Sequence, residues 1–269
     1  EDPETTAETK AYIRERIAAA NAIVDAVAHR RDTIAAIAQE IFDRQPGFFA
    51  DGLKGLRPLT VQEVVEDALE TILRDEVALT GAGRTDAGVH ALDMAAHFDF
   101  DGTFDCNMLK RNLNSLLPPD IAVNRIEPVE DEKHARFDAK KRTYQYHIAT
   151  QKNPFLKGRA CFIYYPLDIE KMNRAAAMLV GKKDFQSFSK VHTDVSNFVC
   201  EIYKAEWEKR GDELVFTIAA NRFLRGMVRA IVGTLVNVGA GRMPVEGIEE
   251  ILESRDRCKA GQSMDACGL

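Results

Sequence analysis

Gly81-Ala82-Gly83-Arg84-Thr85-Asp86-Ala87-Gly88-Val89-His90-Ala91-Leu92 sits between an apolar run, Val77 to Thr80, and an alternating segment that begins at Met94. Three glycines within eight residues permit a tight loop with backbone angles that side chains forbid. Its spacing excludes two phosphate cradles. A dinucleotide fingerprint needs a third glycine where Asp86 stands, and a Walker loop needs Lys-Ser/Thr where Val89-His90 stand. The tip instead displays Arg84, Thr85 and Asp86. A carboxylate shaped by glycines and set beside a cation is a usable nucleophile or base. The plainer alternative is a turn aspartate with a solvated arginine neighbour.

Regular elements flank this loop. Thr60-Val61-Gln62-Glu63 reads as a capping box, and Val61, Val64, Val65, Ala68, Leu69, Ile72 and Leu73 form one apolar stripe of a helix. Met94, Ala96, Phe98 and Phe100 alternate with Asp93, His97 and Asp99, the pattern of a half-buried strand. Thr143 to Ile148 alternates likewise. A helix is predicted after Asp168 (Ile169, Met172, Ala176, Leu179) and a strand at Leu214, Phe216 and Ile218. A last helix runs through Leu224, Met227, Val228, Ile231, Leu235 and Val238, with Asn221 as cap and Gly239-Ala240-Gly241 as stop. On it Arg222, Arg225 and Arg229 fall on one face, suited to a polyanion or an internal carboxylate. Helices mixed with strands in this order predict an α+β fold with an antiparallel sheet.

The first sixty residues read differently. Ile13, Ile17, Ala20, Val24, Val27, Ile34, Ala38 and Ile41 make a helical seam, closed by Pro46-Gly47. Among 269 residues, 36 Lys+Arg against 42 Asp+Glu give a net charge of -6, which excludes a protein that coats nucleic acid by bulk charge. A local patch remains: Lys133 to Arg142 (KHARFDAKKR) carries five Lys/Arg and one Asp. Five cysteines without a C-x-x-C pair argue against a disulfide framework or zinc ribbon. The polar, acidic first residues are unlike a secretory signal, and no apolar run is long enough to span a bilayer. The expected location is the cytoplasm.

The string GAGRTDAGVHAL resembles the catalytic motif of the TruA family of tRNA pseudouridine synthases. The likeness continues through TVQEVVEDAL, AAHFDF, LNSLLPPDIAV, HARFDAKKRTYQYHI, GKKDFQSFSK, AEWE, NRFLRGMVRAIVGTLVNVGAG and AGQSMDACGL. It implies the pseudouridine synthase fold: two similar halves, residues 60–155 and 156–269, whose antiparallel sheets join, flanked by helices. It implies isomerisation of uridine to pseudouridine at positions 38 to 40 of the tRNA anticodon stem-loop, without an added cofactor or metal, by a homodimer. Asp86 matches the catalytic aspartate and Arg84 the arginine that fills the space of a flipped nucleotide, since a stacked base must leave the helix to be reached. Tyr144 matches the tyrosine that packs on the uracil, and Arg229 the arginine that pairs with the aspartate. Thr85, Lys140, Lys141, Arg142, Arg222 and Arg225 then face RNA, and His90 joins them as part of the loop motif. Read from spacing alone, His90 and His97 are structural: seven apart on an extended segment, they project to opposite faces and hold no metal.

The chain also departs from that pattern. The family's opening strand and its Tyr-Asp-Gly…Gly-Trp-Gln segment do not precede the TVQ helix, and a further strand is not found after Cys267-Gly268-Leu269. In their place residues 10–60, with RERI, FDRQPGFF and LRPLT, resemble the core-binding region of an RpoN-type sigma factor. That resemblance implies contact with RNA polymerase core. The expected alternative to an enzyme is an inactive hybrid that binds RNA or polymerase, because a lost strand leaves an unpaired sheet edge.

Overall fold

The computed structural model describes residues 59–190 and 197–269. The helical seam of residues 13–41 and most of the sigma-like segment lie outside the described residues. Val61–Leu269 is one compact unit, and it is built around two apolar clusters.

The smaller cluster belongs to two helices. The predicted stripe forms α1 (Val61–Leu73), which buries Ala68 and Leu69. Its partner α2 (Cys106–Leu116) buries Leu109 and Leu113. Sequence reading left α2 unassigned, yet its start is marked: Asp105 Oδ1 accepts from Met108 N at 2.7 Å, an ordinary N-cap. Val77 and Leu117 complete the cluster. Each such side chain removed from water contributes about 1.5 to 3 kcal/mol before entropy is charged. Between the helices the chain makes a short antiparallel pair, β1 (Thr80–Gly81) and β2 (Ala96–His97), with Thr80 opposite His97. The strand expected over residues 94–100 is thus hydrogen-bonded over two residues only.

The larger cluster lies against a five-stranded sheet of order β4-β3-β7-β6-β5. Its members are β3 (Arg142–Ala149), β4 (Cys161–Phe162), β5 (Gly181–Asp184), β6 (Val199–Arg210) and β7 (Glu213–Ala220). All pairs are antiparallel except β3 with β4, so the sheet is mixed. Against it pack α3 (Ile169–Ala177), capped by Asp168, and α4 (Met227–Gly239). Tyr146, Phe185, Phe188, Phe216, Met172, Met227 and Ile231 are fully buried there. A last helix, α5 (Gly247–Ser254), adds Ile248 and Ile251. Among the described residues no helix is long and apolar enough to cross a membrane.

The α+β class is as expected, with two refinements. The two ladders share no strand pairing, and β3 belongs to the larger sheet, opposite β7, with Tyr144 facing Ile218. One correction concerns the last helix. Asn221 does not cap it; its Oδ1 accepts from Glu201 N at 2.9 Å and Arg222 N at 2.7 Å, tying the end of β7 to β6. Helix α4 starts at Met227 after Gly226, which has φ 73°. Arg222 and Arg225 therefore precede the helix, and only Arg229 is on it.

Candidate active site

The glycine loop leaves β1 and returns to β2, with its root fixed at Ala82: the amide donates to Ala95 O at 2.8 Å and the carbonyl accepts from Arg142 Nη2 at 3.1 Å. Its tip is a turn in which Val89 N donates to Asp86 O at 3.2 Å, and Gly88 takes φ 84°, a left-handed angle that favours glycine. Arg84, Thr85 and Asp86 are exposed at that tip.

Asp86 Oδ2 accepts from Arg229 Nη1 at 2.8 Å. Arg229 comes from the first turn of α4, and its other functional nitrogen, Nε, donates to Met264 O. Met264 N donates back to Arg229 O at 3.1 Å, so residue 229 is held by the segment 261–269 through side chain and backbone alike. That segment also carries the loop: His90 N donates to Leu269 O at 2.9 Å. It seats against α4 where a Cβ on Gly233 would strike Gln262 O, and one on Gly261 would strike the Gly233-Thr234 backbone. Thr234 Oγ1 accepts from Gly261 N at 2.8 Å in the same contact. Glycines at these two positions let two backbones touch.

Tyr144 lies on β3, half-buried, with its ring edge-on to Phe223 at 5.1 Å. Burial raises its phenol pKa above the ordinary tyrosine value, and the Arg142 charge opposes the rise only in part. The hydroxyl is therefore a proton-bearing group at neutral pH. Phe223, in NRFLRG, was not singled out in the sequence; its signal is an aromatic placed between two arginines.

The remaining candidates separate into open and engaged cations. Lys140, Lys141 and Arg225 are exposed, and Arg222 is half-buried. Arg142 is engaged: Nη2 also donates to Arg136 O at 2.9 Å, and Nη1 to Asn221 O at 3.3 Å and Ala139 O at 3.4 Å. These contacts occupy its two terminal nitrogens with backbone carbonyls, and the residue is half-buried. His90 Nε2 is 2.6 Å from Gly158 O, a structural tie from the loop to the 154–160 turn. His97 Nδ1 accepts from Ala135 N at 3.2 Å, and its ring lies 4.6 Å from that of His134. Among the described residues no group of histidine, cysteine or carboxylate side chains could hold a metal ion. An acidic depression lined by Asp75, Glu76, Asp99, Phe100 and Asp101 shares no residue with this site.

A carboxylate paired to a guanidinium is suited to nucleophilic chemistry; Tyr144 and the exposed Lys140, Lys141 and Arg225 are the other residues to which the sequence points. The family comparison agrees. A family model described as tRNA pseudouridine synthase matches residues 49–138 and 175–269, and the chain belongs to that family. Among its relatives is tRNA pseudouridine synthase A of Bacteroides thetaiotaomicron, 53% identical over 207 residues, which are 76% of this chain and 77% of that protein. The protein of the same name from Parabacteroides distasonis is 52% identical over 212 residues, 78% of this chain and 84% of that one. That of Thermoanaerobacter sp. is 41% identical over 213 residues, 78% and 87% of the two chains. A second family model, described as Sigma-54, DNA binding domain, matches residues 10–72 and overlaps the first over 49–72. The sigma-factor likeness expected for the N-terminal segment is therefore found, under a description that names DNA binding rather than core binding. The family and its relatives favour an enzyme over an inactive module.

Proposed function

We propose that this chain isomerises uridine to pseudouridine in the anticodon stem-loop of tRNA, at positions 38 to 40. Asp86 is the nucleophile: its carboxylate attacks the target nucleoside, the N1–C1′ bond breaks, the base turns, a C5–C1′ bond forms, and the bond to Asp86 is broken again, which frees the carboxylate. The C5 proton then leaves and N1 takes up a proton, so the isomerisation needs no cofactor and no net redox change. Arg229 holds the carboxylate in place by their ion pair, which leaves the second carboxylate oxygen to attack. Tyr144 packs its ring on the uracil and sets a phenol beside the departing C5 proton.

Arg84 and Thr85, at the exposed loop tip, meet the nucleotide that leaves the stack and the space it vacates. Lys140, Lys141, Arg222 and Arg225 bind backbone phosphates. His90 supports the loop that presents them. The catalytic unit works in the cytoplasm as a homodimer, its two halves spanning 60–155 and 156–269. The segment 10–60 contacts RNA polymerase core, a reading that draws on the sigma-54 likeness and fails if purified chain and core do not associate.

The observation that carries the enzymatic reading is the 2.8 Å ion pair between Asp86 and Arg229. It is tested with tRNA tritiated at uridine C5. The chain is expected to release tritium, and Asp86→Ala to release none while still binding tRNA. A folded wild-type chain that binds tRNA without release overturns the reading.

A further inference from the structure

Among the described residues near the site, Arg142 makes four side-chain hydrogen bonds, and all four acceptors are backbone carbonyls. Its two terminal nitrogens carry four hydrogens, and four backbone carbonyls surround them: Ala82, Arg136, Ala139 and Asn221. Those carbonyls come from three different places. Ala82 is the root of the Asp86 loop. Arg136 and Ala139 belong to the basic turn, which is closed on itself by Asp138 Oδ2 accepting from His134 N at 2.8 Å and by Asp138 N donating to His134 O at 3.0 Å. Asn221 follows the last residue of β7, and its own amide and side chain are bound to Glu201.

Arg142 itself opens β3 and lies two residues before Tyr144, on the same face of the strand. The two strand ladders of the unit share no pairing. The Arg142 guanidinium is one of the links between the β1–β2 loop and the larger sheet, beside the Asp86–Arg229 pair and the His90 contacts. A point charge on a flexible stem cannot replace it, because an ammonium has three hydrogens and no fixed fork.

We infer that Arg142 is a positioning residue: it fixes the Asp86 loop, the Lys140-Lys141 turn and the Tyr144 strand in one register, and it does not bind tRNA phosphate. The inference rests on the reading of Asp86 and Tyr144 given above. It assigns the basic turn two kinds of cation. Lys140 and Lys141 point the field outward, while Arg142 spends its donors inward.

Two measurements on the full chain decide it. The first labels wild-type protein with phenylglyoxal, read by mass spectrometry, with and without tRNA. Arg142 is expected to stay unlabelled in both conditions, while exposed Arg225 is labelled in the free protein and protected by tRNA. Labelling of Arg142 in the free protein overturns the inference, and this readout requires neither turnover nor a variant. The second compares Arg142→Lys with Lys140→Ala. In Arg142→Lys, kcat is expected to fall at least about tenfold, while tRNA affinity and its salt dependence are unchanged. Lys140→Ala, at a residue read as meeting phosphate, is expected to lower the slope of log affinity against log salt by about one. A folded Arg142→Lys that keeps kcat, or that loses a unit of salt slope, overturns the inference. Failure of the aspartate reading itself shows separately, as tritium release that survives Asp86→Ala.

Discussion

Asp86 and Arg229 are 143 residues apart in sequence, and a hydrogen bond of 2.8 Å joins their side chains. The pair is partly open to solvent, with Asp86 42% exposed. Partly exposed ion pairs contribute about 0 to 1 kcal/mol to stability. That magnitude is too small for the pair to be a fold-stabilising device, which accords with the role proposed for the carboxylate.

Asp86→Asn is accordingly expected to cost under about 1 kcal/mol in urea unfolding while tritium release drops to that of a no-enzyme control. A variant that unfolds markedly earlier, or that keeps turning over, contradicts this assignment.

Arg229→Lys keeps a charge but cannot serve Asp86 and Met264 O together. Loss of one hydrogen bond to a charged group is worth about 1.5 to 3 kcal/mol, so kcat should fall by roughly ten- to a hundredfold. Steady-state kinetics on a tRNA transcript measures it, and an unchanged kcat would show that the Met264 contact does not serve the reaction.

Tyr144→Phe retains the ring and loses the phenol. KM for tRNA should hold while kcat drops, by roughly a hundredfold or more if the hydroxyl moves a proton in the slow step. Burial raises the Tyr144 pKa, so the wild-type rate should not fall as pH approaches 10, the ordinary tyrosine value. A pH–rate profile that bends down earlier speaks against a protonated phenol.

Gly233→Ala puts a methyl group into the backbone of Gln262. Overpacking of this kind costs about 1 to 3 kcal/mol. Because the displaced segment includes Met264, the variant should lose activity beyond its loss of stability, as read by kcat at a temperature where calorimetry finds it folded.

Alkaline pH tests the larger core. Burial lifts the Cys200 thiol from 9.0 to about 11, with Arg222 opposing and Asp184 adding to the rise. Below pH 9 both folded and unfolded thiols are protonated and the contribution is complete. Between pH 9 and 11 the unfolded thiol ionises first, so up to about 2 to 3 kcal/mol is lost. Cys200→Val should flatten that decline in urea titrations at stepped pH.

Local signals recovered α1, α3, β3 and β7 because each carries a clear period: the Leu69 stripe, the Asp168 cap, the Tyr144-Tyr146-Ile148 alternation. Helix α2 went unseen since its apolar face is confined to a few leucines, and β6 because charged residues fill its outer face. Asn221 was misread as a cap for the physical reason that an asparagine side chain serves a strand end as readily as a helix start. At the site, the motif residues were legible one by one, but pairing Asp86 with Arg229 drew on a family likeness. The engagement of Arg142 was not legible at all, because carbonyl partners leave no trace in side-chain identity.

The seat of residues 261–269 has a temporal consequence. A ribosome makes Asp86 early, Arg229 much later, and the residues that hold Arg229 later still. The nascent chain thus presents Asp86 before Arg229 and the residues that hold it exist, and the proposed chemistry requires residues 261–269 to have docked first.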